Sequence, residues 1–291
     1  RVDGIAPGTE VTIELDRGDP ECAGISPQAC FSYDHTSWGL TPPGKEAVIA
    51  GRKFFVYRHT VHSDQVWFAY DLPYTHNNAK SLVLEAAQDE YAEIFELCKT
   101  QDGRSVPAIR LLSGRKSAQQ PYGIFLQART HAFESGSSWV LDGLTRWLLS
   151  ADPQARALRS CAVITVIPIV DVDGVSEGRT GKNHPPFDHN RGWDKDPAHW
   201  PETEASRKLL QRFADDDMLD MFIDFHGPGG RSHPYFIVPV SEALIHAGQR
   251  RNREAFFEAL EARPLDEEAR MHQSMTRIHY SARPWDGSVH S

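Results

Sequence analysis

The strongest constraint on the fold is the run at residues 161–170, Cys-Ala-Val-Ile-Thr-Val-Ile-Pro-Ile-Val, almost wholly apolar and rich in β-branched side chains. Such a run suits a strand buried on both faces, an environment that parallel and mixed sheets provide. Residues 122–128 and 218–225 read as strands of the same kind, with further strands at 109–112 and 235–240. Helical periodicity falls between them, at residues 138–149, closed by Asp152-Pro153, at 202–213, and near 81–98. Alternating helices and buried strands specify an α/β fold with a mixed sheet flanked by helices.

Residues 11–70 have a different texture. Short segments of period-two alternation at 11–15, 54–57 and 66–70 are broken by Gly and Pro, the signature of a small antiparallel β unit. A chain of 291 residues also exceeds what one core comfortably fills. Two domains are expected, a β-sandwich-like one at 1–70 and an α/β one at 71–291. The polar stretch 179–201 lacks periodicity, and loops of that length inside a compact domain usually carry function.

The longest apolar run, 162–170, is far short of the roughly 20 residues that cross a bilayer. No membrane span is expected, and the ordinary share of charged residues, 24 %, fits a soluble globular chain. A net charge of −9 with dispersed Lys and Arg argues against nucleic acid as a partner. Cys22, Cys30, Cys98 and Cys161 form no CxxC pair, which excludes a cysteine zinc site. Cys22 and Cys30 either close a small loop in an oxidising compartment or stay free in a reducing one. The compartment therefore stays open between cytoplasmic and periplasmic or secreted. Starting at Arg1 and stopping without an evident terminal helix, the sequence reads as a processed or truncated chain.

His131 and Glu134 follow directly on the strand at 122–128. A spacing of three on a turn or helix start puts an imidazole and a carboxylate on one side of the backbone. Alone, the pair reads first as a surface His beside a solvated Glu. His226 adds a third candidate, at the carboxyl end of the strand at 218–225, where open α/β sheets build their sites. Two His and one Glu make up a ligand set of catalytic zinc, with the fourth position left for water. Known zinc enzymes carry that association, not the spacing.

Four segments occur in a recognisable order: residues 128–139 around His131 and Glu134, then 171–175 (Asp-Val-Asp-Gly-Val), 188–193 (Asp-His-Asn-Arg-Gly-Trp), and 224–227 (Asp-Phe-His-Gly). With them the chain resembles the zinc carboxypeptidase family, in the branch of the cytosolic carboxypeptidases and their bacterial relatives. Phe31-Ser32-Tyr33, Trp38, residues 67–70 and Pro73-Tyr74-Thr75 resemble the small β domain that this branch carries ahead of its catalytic domain. The resemblance spans nearly the whole chain. It implies an eight-stranded-type mixed sheet, one zinc ion on His131, Glu134 and His226, and a peptide or protein C-terminus as substrate.

The same resemblance implies that Asn190 and Arg191 grip the substrate's terminal carboxylate. A guanidinium fork can bind a carboxylate through two parallel hydrogen bonds, and an amide adds a donor; the alternative is a loop pairing of Arg191 with Asp194. Asp188 matches the family's carboxylate behind the first metal histidine, with a cap or turn role as the alternative. His184 and His189 read as solvent-facing or loop-packing. The family's oxyanion-stabilising arginine has no gap-free match, and Arg179 and Lys182 are the cations in range. No carboxylate after His226 sits in the strand context of the family's general-base glutamate; most of Glu242, Glu254, Glu258, Glu261, Asp266, Glu267, Glu268 and Asp286 fall on a solvated helix. Truncation before that residue is favoured over its loss. The expected function is a zinc metallocarboxypeptidase removing C-terminal amino acids. The alternatives are a zinc amidoacid deacylase and a catalytically silent peptide-binding module.

Overall fold

Strand alternation sets the N-terminal architecture. In the computed structural model, which describes residues 1–16, 26–112, 120–182, 184–227, 235–238, 247–262 and 276–279, seven short strands precede the first helix: β1 Val2–Asp3, β2 Glu10–Asp16, β3 Cys30–Ser32, β4 Gly39–Leu40, β5 Lys45–Ile49, β6 Arg52–Thr60 and β7 Gln65–Ala69. They pair antiparallel in two small sheets, ordered β2-β6-β5 and β1-β7-β3-β4. In β2 the polar positions face out, while Val11, Ile13 and Leu15 turn partly inward, as a half-buried strand requires. The expected small antiparallel sheets are present. Cys22 lies outside the described residues, and Cys30 is buried on β3.

The remaining described elements, in chain order, are α1 His76–Ala86, β8 Ala92–Lys99, β9 Ser105–Leu111, β10 Tyr122–Ala128, α2 Ser135–Leu149, α3 Pro153–Cys161, β11 Ala162–Ile167, α4 Val172–Glu177, α5 Pro201–Asp215, β12 Met221–Phe225, β13 Tyr235–Val238, α6 Ala247–Ala262 and β14 Thr276–His279. The chain divides into two units, Arg1–His189 with Trp200–Gly230, and Asn190–His199 with Arg231–Ser291. In the first, a mixed sheet runs β12-β10-β11-β9-β8, parallel where β10 meets β11 and β12 and antiparallel at β9 and β8. Among the described residues it has five strands where the resemblance implied eight. In the second unit β13 and β14 pair parallel with each other.

Two expected boundaries moved. The helix anticipated near 81–98 stops at Ala86, and Asp89, whose carboxylate accepts from the Tyr91 N–H at 2.8 Å, turns the chain into β8. Pairing with β9 outweighs the helix propensity of the Ala, Glu and Leu residues there. Asp152-Pro153 does not merely close α2; it opens α3. The Asp152 carboxylate accepts from the N–H groups of Gln154 (2.7 Å) and Ala155 (3.2 Å), and Pro153 occupies a first-turn position where no donor is needed. Within the apolar run at 161–170, α3 takes Cys161 and β11 ends at Ile167, before Pro168, so the strand is shorter than the run.

The sheet is covered on both faces, which is why β10 and β11 are mostly apolar, with Gln127 and Thr165 as buried polar exceptions. Leu126, Ala128, Ile164 and Val166 pack with Leu82 of α1 and Leu141 and Leu148 of α2. Phe125 and Ile167 point the other way, toward Leu209 and Phe213 of α5. Gly123 lets β10 touch the turn after α5, for a Cβ there would lie 1.5 Å from the Met218 carbonyl oxygen. Its N–H donates to Asp220 at 2.8 Å and its carbonyl accepts from the Asp220 N–H at 2.9 Å. These contacts hold β12 in register beside β10, with Ala128 opposite Phe225.

Candidate metal centre

Because β10 and β12 are parallel neighbours, their carboxyl ends emerge together. His226 follows β12 at once, and His131 stands three residues past β10. The intervening Arg129 adopts φ +64° and is buried; its Nε donates to the Ala132 carbonyl at 2.7 Å and its Nη1 to the Tyr74 carbonyl at 3.0 Å. Burial pulls its pKa down to about 10, against the pull of Glu134 and Asp171. This locked turn brings His131 back over the strand ends. Glu134, at the N-terminus of α2, spends no side-chain bond on capping the helix.

His131, Glu134 and His226 each offer one ligand atom, and those atoms all lie within 4.8 Å of one another. One Glu134 oxygen is 3.1 Å from Nδ1 of His131, the other 2.8 Å from Nδ1 of His226 and 3.0 Å from the Gly227 N–H. The side chains are 7 %, 1 % and 13 % exposed in chain order. Burial by itself would raise the Glu134 pKa, but the two imidazoles outweigh it and hold the carboxyl far below the usual range. Burial likewise opposes charging of the rings, yet Asp188 and Glu134 raise the pKa of His131, and Asp224 with Glu134 takes that of His226 up to about 10.

Both rings turn Nδ1 inward and present Nε2 to a second carboxylate. Nε2 of His131 lies 3.6 Å from Asp188, and Nε2 of His226 is 2.9 Å from Asp224, whose two oxygens also accept from the Thr130 hydroxyl at 2.9 and 3.0 Å. The part played by Asp224 escaped the sequence reading. Its signal was present, since residues two apart on a strand share a face. The donor set fits a metal ion. Ligands about 2.0 to 2.1 Å from a tetrahedral zinc lie roughly 3.3 Å apart, near the 3.1 and 2.8 Å between Glu134 and the two imidazoles, and carboxylate-backed imidazoles are typical of metal ligands.

The other expected residues are less concentrated. Asp188 is buried beside His131. Arg179 is half-exposed and pairs with Glu177 and, at 3.0 Å, with His184. Lys182 is partly buried, and its neighbour Asn183 lies outside the described residues. Asn190 and Arg191 belong to the second unit, where Nη1 of Arg191 donates to the Asn190 carbonyl at 2.9 Å and Asp194 pairs with Lys195 at 3.0 Å. His184 and His189 both pack against Trp200, and His189 is buried rather than solvent-facing. Of the downstream carboxylates, Glu254 pairs with Arg253 on α6, and Glu258 is exposed there. The Glu261 side chain and residues Glu242, Asp266, Glu267, Glu268 and Asp286 lie outside what the structure describes.

The zinc carboxypeptidase sequence profile matches residues 81–235, just over half of the chain. The chain belongs to the zinc carboxypeptidase family. Its curated relatives include cytosolic carboxypeptidase 1 of Gallus gallus, 28 % identical over 78 % of this chain and 20 % of that protein, and cytosolic carboxypeptidase 1 of Homo sapiens, 29 % identical over 75 % and 19 %. This zinc carboxypeptidase chain thus spans about a fifth of the length of the curated relatives it matches. Among solved structures it resembles a metallo-carboxypeptidase from Burkholderia cenocepacia, with TM-score 0.74 and 26 % identity over 89 % of this chain and 68 % of that one. A Pseudomonas aeruginosa metallo-carboxypeptidase shares the fold at TM-score 0.73 and 23 % identity over 99 % and 73 %. Zinc carboxypeptidases use one zinc ion, in keeping with the single His-Glu-His cluster found among the described residues. No described helix is long and apolar enough to cross a membrane.

Proposed function

We propose that the protein hydrolyses C-terminal amino acids from peptides, with a single zinc ion held by Nδ1 of His131, the Glu134 carboxylate and Nδ1 of His226. The observation that carries this reading is the convergence of those three ligand atoms, from two adjacent strand ends and a helix start, within 4.8 Å. Family membership and the cytosolic carboxypeptidase relatives support the same chemistry. When bound, zinc supplies Lewis-acid polarisation of a scissile carbonyl and acidifies a water ligand.

The chain's own residues do the rest. Asp224 accepts from Nε2 of His226 and Asp188 faces Nε2 of His131 at 3.6 Å, so that with zinc in place of the Nδ1 protons each ring would be held in the tautomer that gives Nδ1 to the metal. Glu134, anionic because both rings favour its charge, contributes the negative ligand. Asn190 and Arg191 are assigned to the substrate's terminal carboxylate on donor chemistry, an amide beside a guanidinium fork. The general base is not assigned to any residue of this chain.

The test is hydrolysis by the zinc-loaded full-length protein of a peptide series with free and amidated C-termini. Release of the last amino acid from free ends, loss on chelation and recovery with zinc are expected, and amidated peptides should resist. Release indifferent to chelation, or equal on amidated ends, overturns the proposal. Preference for N-acetyl amino acids would instead identify a deacylase, and peptide binding without turnover a silent module.

A further inference from the structure

We infer that His189 is a positioning residue that sets how Asp188 meets His131, an inference that rests on the zinc reading of the His131, Glu134 and His226 cluster. His189 follows Asp188 directly and is 2 % exposed. Its ring lies flat on Trp200, centroids 4.8 Å apart and planes 17° from parallel. Nδ1 is 3.6 Å from a carboxylate oxygen of Asp171, and Nε2 is 3.7 Å from one of Glu202. Both carboxylates are buried. A neutral imidazole carries N–H on one nitrogen and an imidazolium on both, so whichever nitrogen bears the proton stands close to a carboxylate, though beyond direct hydrogen-bond distance.

These contacts close a circuit through the metal centre. Asp171 caps α4 by accepting from the Gly174 N–H at 2.8 Å, and its own N–H donates to the Arg129 carbonyl at 3.1 Å, two residues before His131. Glu202 stands in the first turn of α5. Trp200 Nε1 donates to the Phe187 carbonyl at 2.7 Å, and the Thr203 hydroxyl to the His189 carbonyl at 3.4 Å. Residues 187–189 are therefore held by Trp200 and Thr203, with the imidazole between two buried carboxylates. The lever between Asp171, anchored to the His131 segment, and Asp188, facing the His131 ring, is His189. Its ring fixes the 3.6 Å approach of Asp188 to Nε2 of His131.

A histidine that merely fills space against Trp200 would be replaced well by an apolar side chain, and its loss would add to any loss at Asp188. A positioning histidine behaves differently: its effect runs through Asp188 and disappears when Asp188 no longer carries a charge. The experiment is zinc affinity by chelator competition on the full-length protein, in a cycle of His189→Leu, Asp188→Asn and the double variant, with thermal unfolding of the metal-free forms as the measure of folding. His189→Leu is expected to weaken zinc about tenfold, the lower end for disturbing a metal histidine's outer partner. In the Asp188→Asn background it should change nothing further. His189→Asn, whose amide reaches the Nδ1 position, should return affinity to within about threefold of wild type, and it carries the same cycle where the Leu variant does not fold. Equal losses in both backgrounds, or wild-type affinity in a folded His189→Leu protein, overturn the inference alone. A wild-type protein that takes up no zinc overturns the metal reading and this inference with it.

Discussion

At the scale of single residues, the metal centre depends on side chains that never need to touch the ion. Asp224 illustrates the point. It accepts from Nε2 of His226 at 2.9 Å while the Thr130 hydroxyl holds it in place. With the Nε2 proton held there, Nδ1, which donates to Glu134 at 2.8 Å, would give its lone pair to an ion that displaces its proton. Asp224→Asn preserves size but loses the charge and offers a donor as readily as an acceptor, so the ring is no longer held in one tautomer. Zinc affinity measured by chelator competition should fall about 10- to 100-fold, with little change in the far-ultraviolet circular dichroism. An unchanged affinity would mean that the Asp224 carboxylate only fills space. Arg129 belongs to the same scale. Its φ of +64° shapes the turn into His131, and nothing in residue type or spacing announces a buried arginine in that conformation.

At the scale of elements, legibility followed how much of an element's environment was written into its own residues. β10 and β11 are buried on both faces, and their largely apolar character, interrupted by Gln127 and Thr165, marked them as central strands. β8 is an edge strand whose Glu93, Glu96 and exposed Ile94 carry no such mark, so its identity depends on β9, which one segment's sequence does not encode. Likewise His131, Glu134 and His226 were found through motif and strand-end position, whereas Asp224 as a partner required knowing which nitrogen of His226 faces inward. The N-terminal sheets carry a prediction of their own. His59 on β6 is buried against Phe31, with the Tyr33 hydroxyl 2.8 Å from Nε2 and His62 and Phe68 as further ring neighbours. Burial disfavours its charged form and His62 adds repulsion, so its pKa is lowered from the usual 6.5. The unfolded chain then binds a proton more readily than the folded one. The stability this contributes is present above the unfolded value and is lost as pH falls through the folded one. Amides of the β2 and β6 ladder should therefore exchange faster between pH 7 and 5, once the intrinsic rate is corrected, while those of β10 hold. His59→Gln should flatten that dependence, and the same slope in the variant would exclude His59 as its source.

At the scale of the whole molecule, the proposed ligands come from segments 92 and 95 residues apart along the chain, Glu134 to His226 and His131 to His226, so one ion bound there would tie the end of β10 to the end of β12. A ligand that binds only the folded state stabilises it by an amount set by its concentration over its dissociation constant, about 2.7 kcal/mol at a hundredfold excess. For a chain of this size that is a rise in Tm of roughly 5 °C or more between chelated and zinc-loaded protein. A net charge of −9 attracts divalent cations diffusely, so a rise alone does not identify the site. Magnesium separates the two cases, because it shares zinc's charge but favours octahedral oxygen ligands over imidazole. Zinc should raise Tm where equal magnesium does not, and the difference should collapse in Glu134→Gln, which removes the anionic ligand and leaves the surface charge almost intact. A magnesium effect as large as that of zinc, or a zinc effect that survives Glu134→Gln, would assign the stabilisation to the acidic surface and leave the strand ends untied.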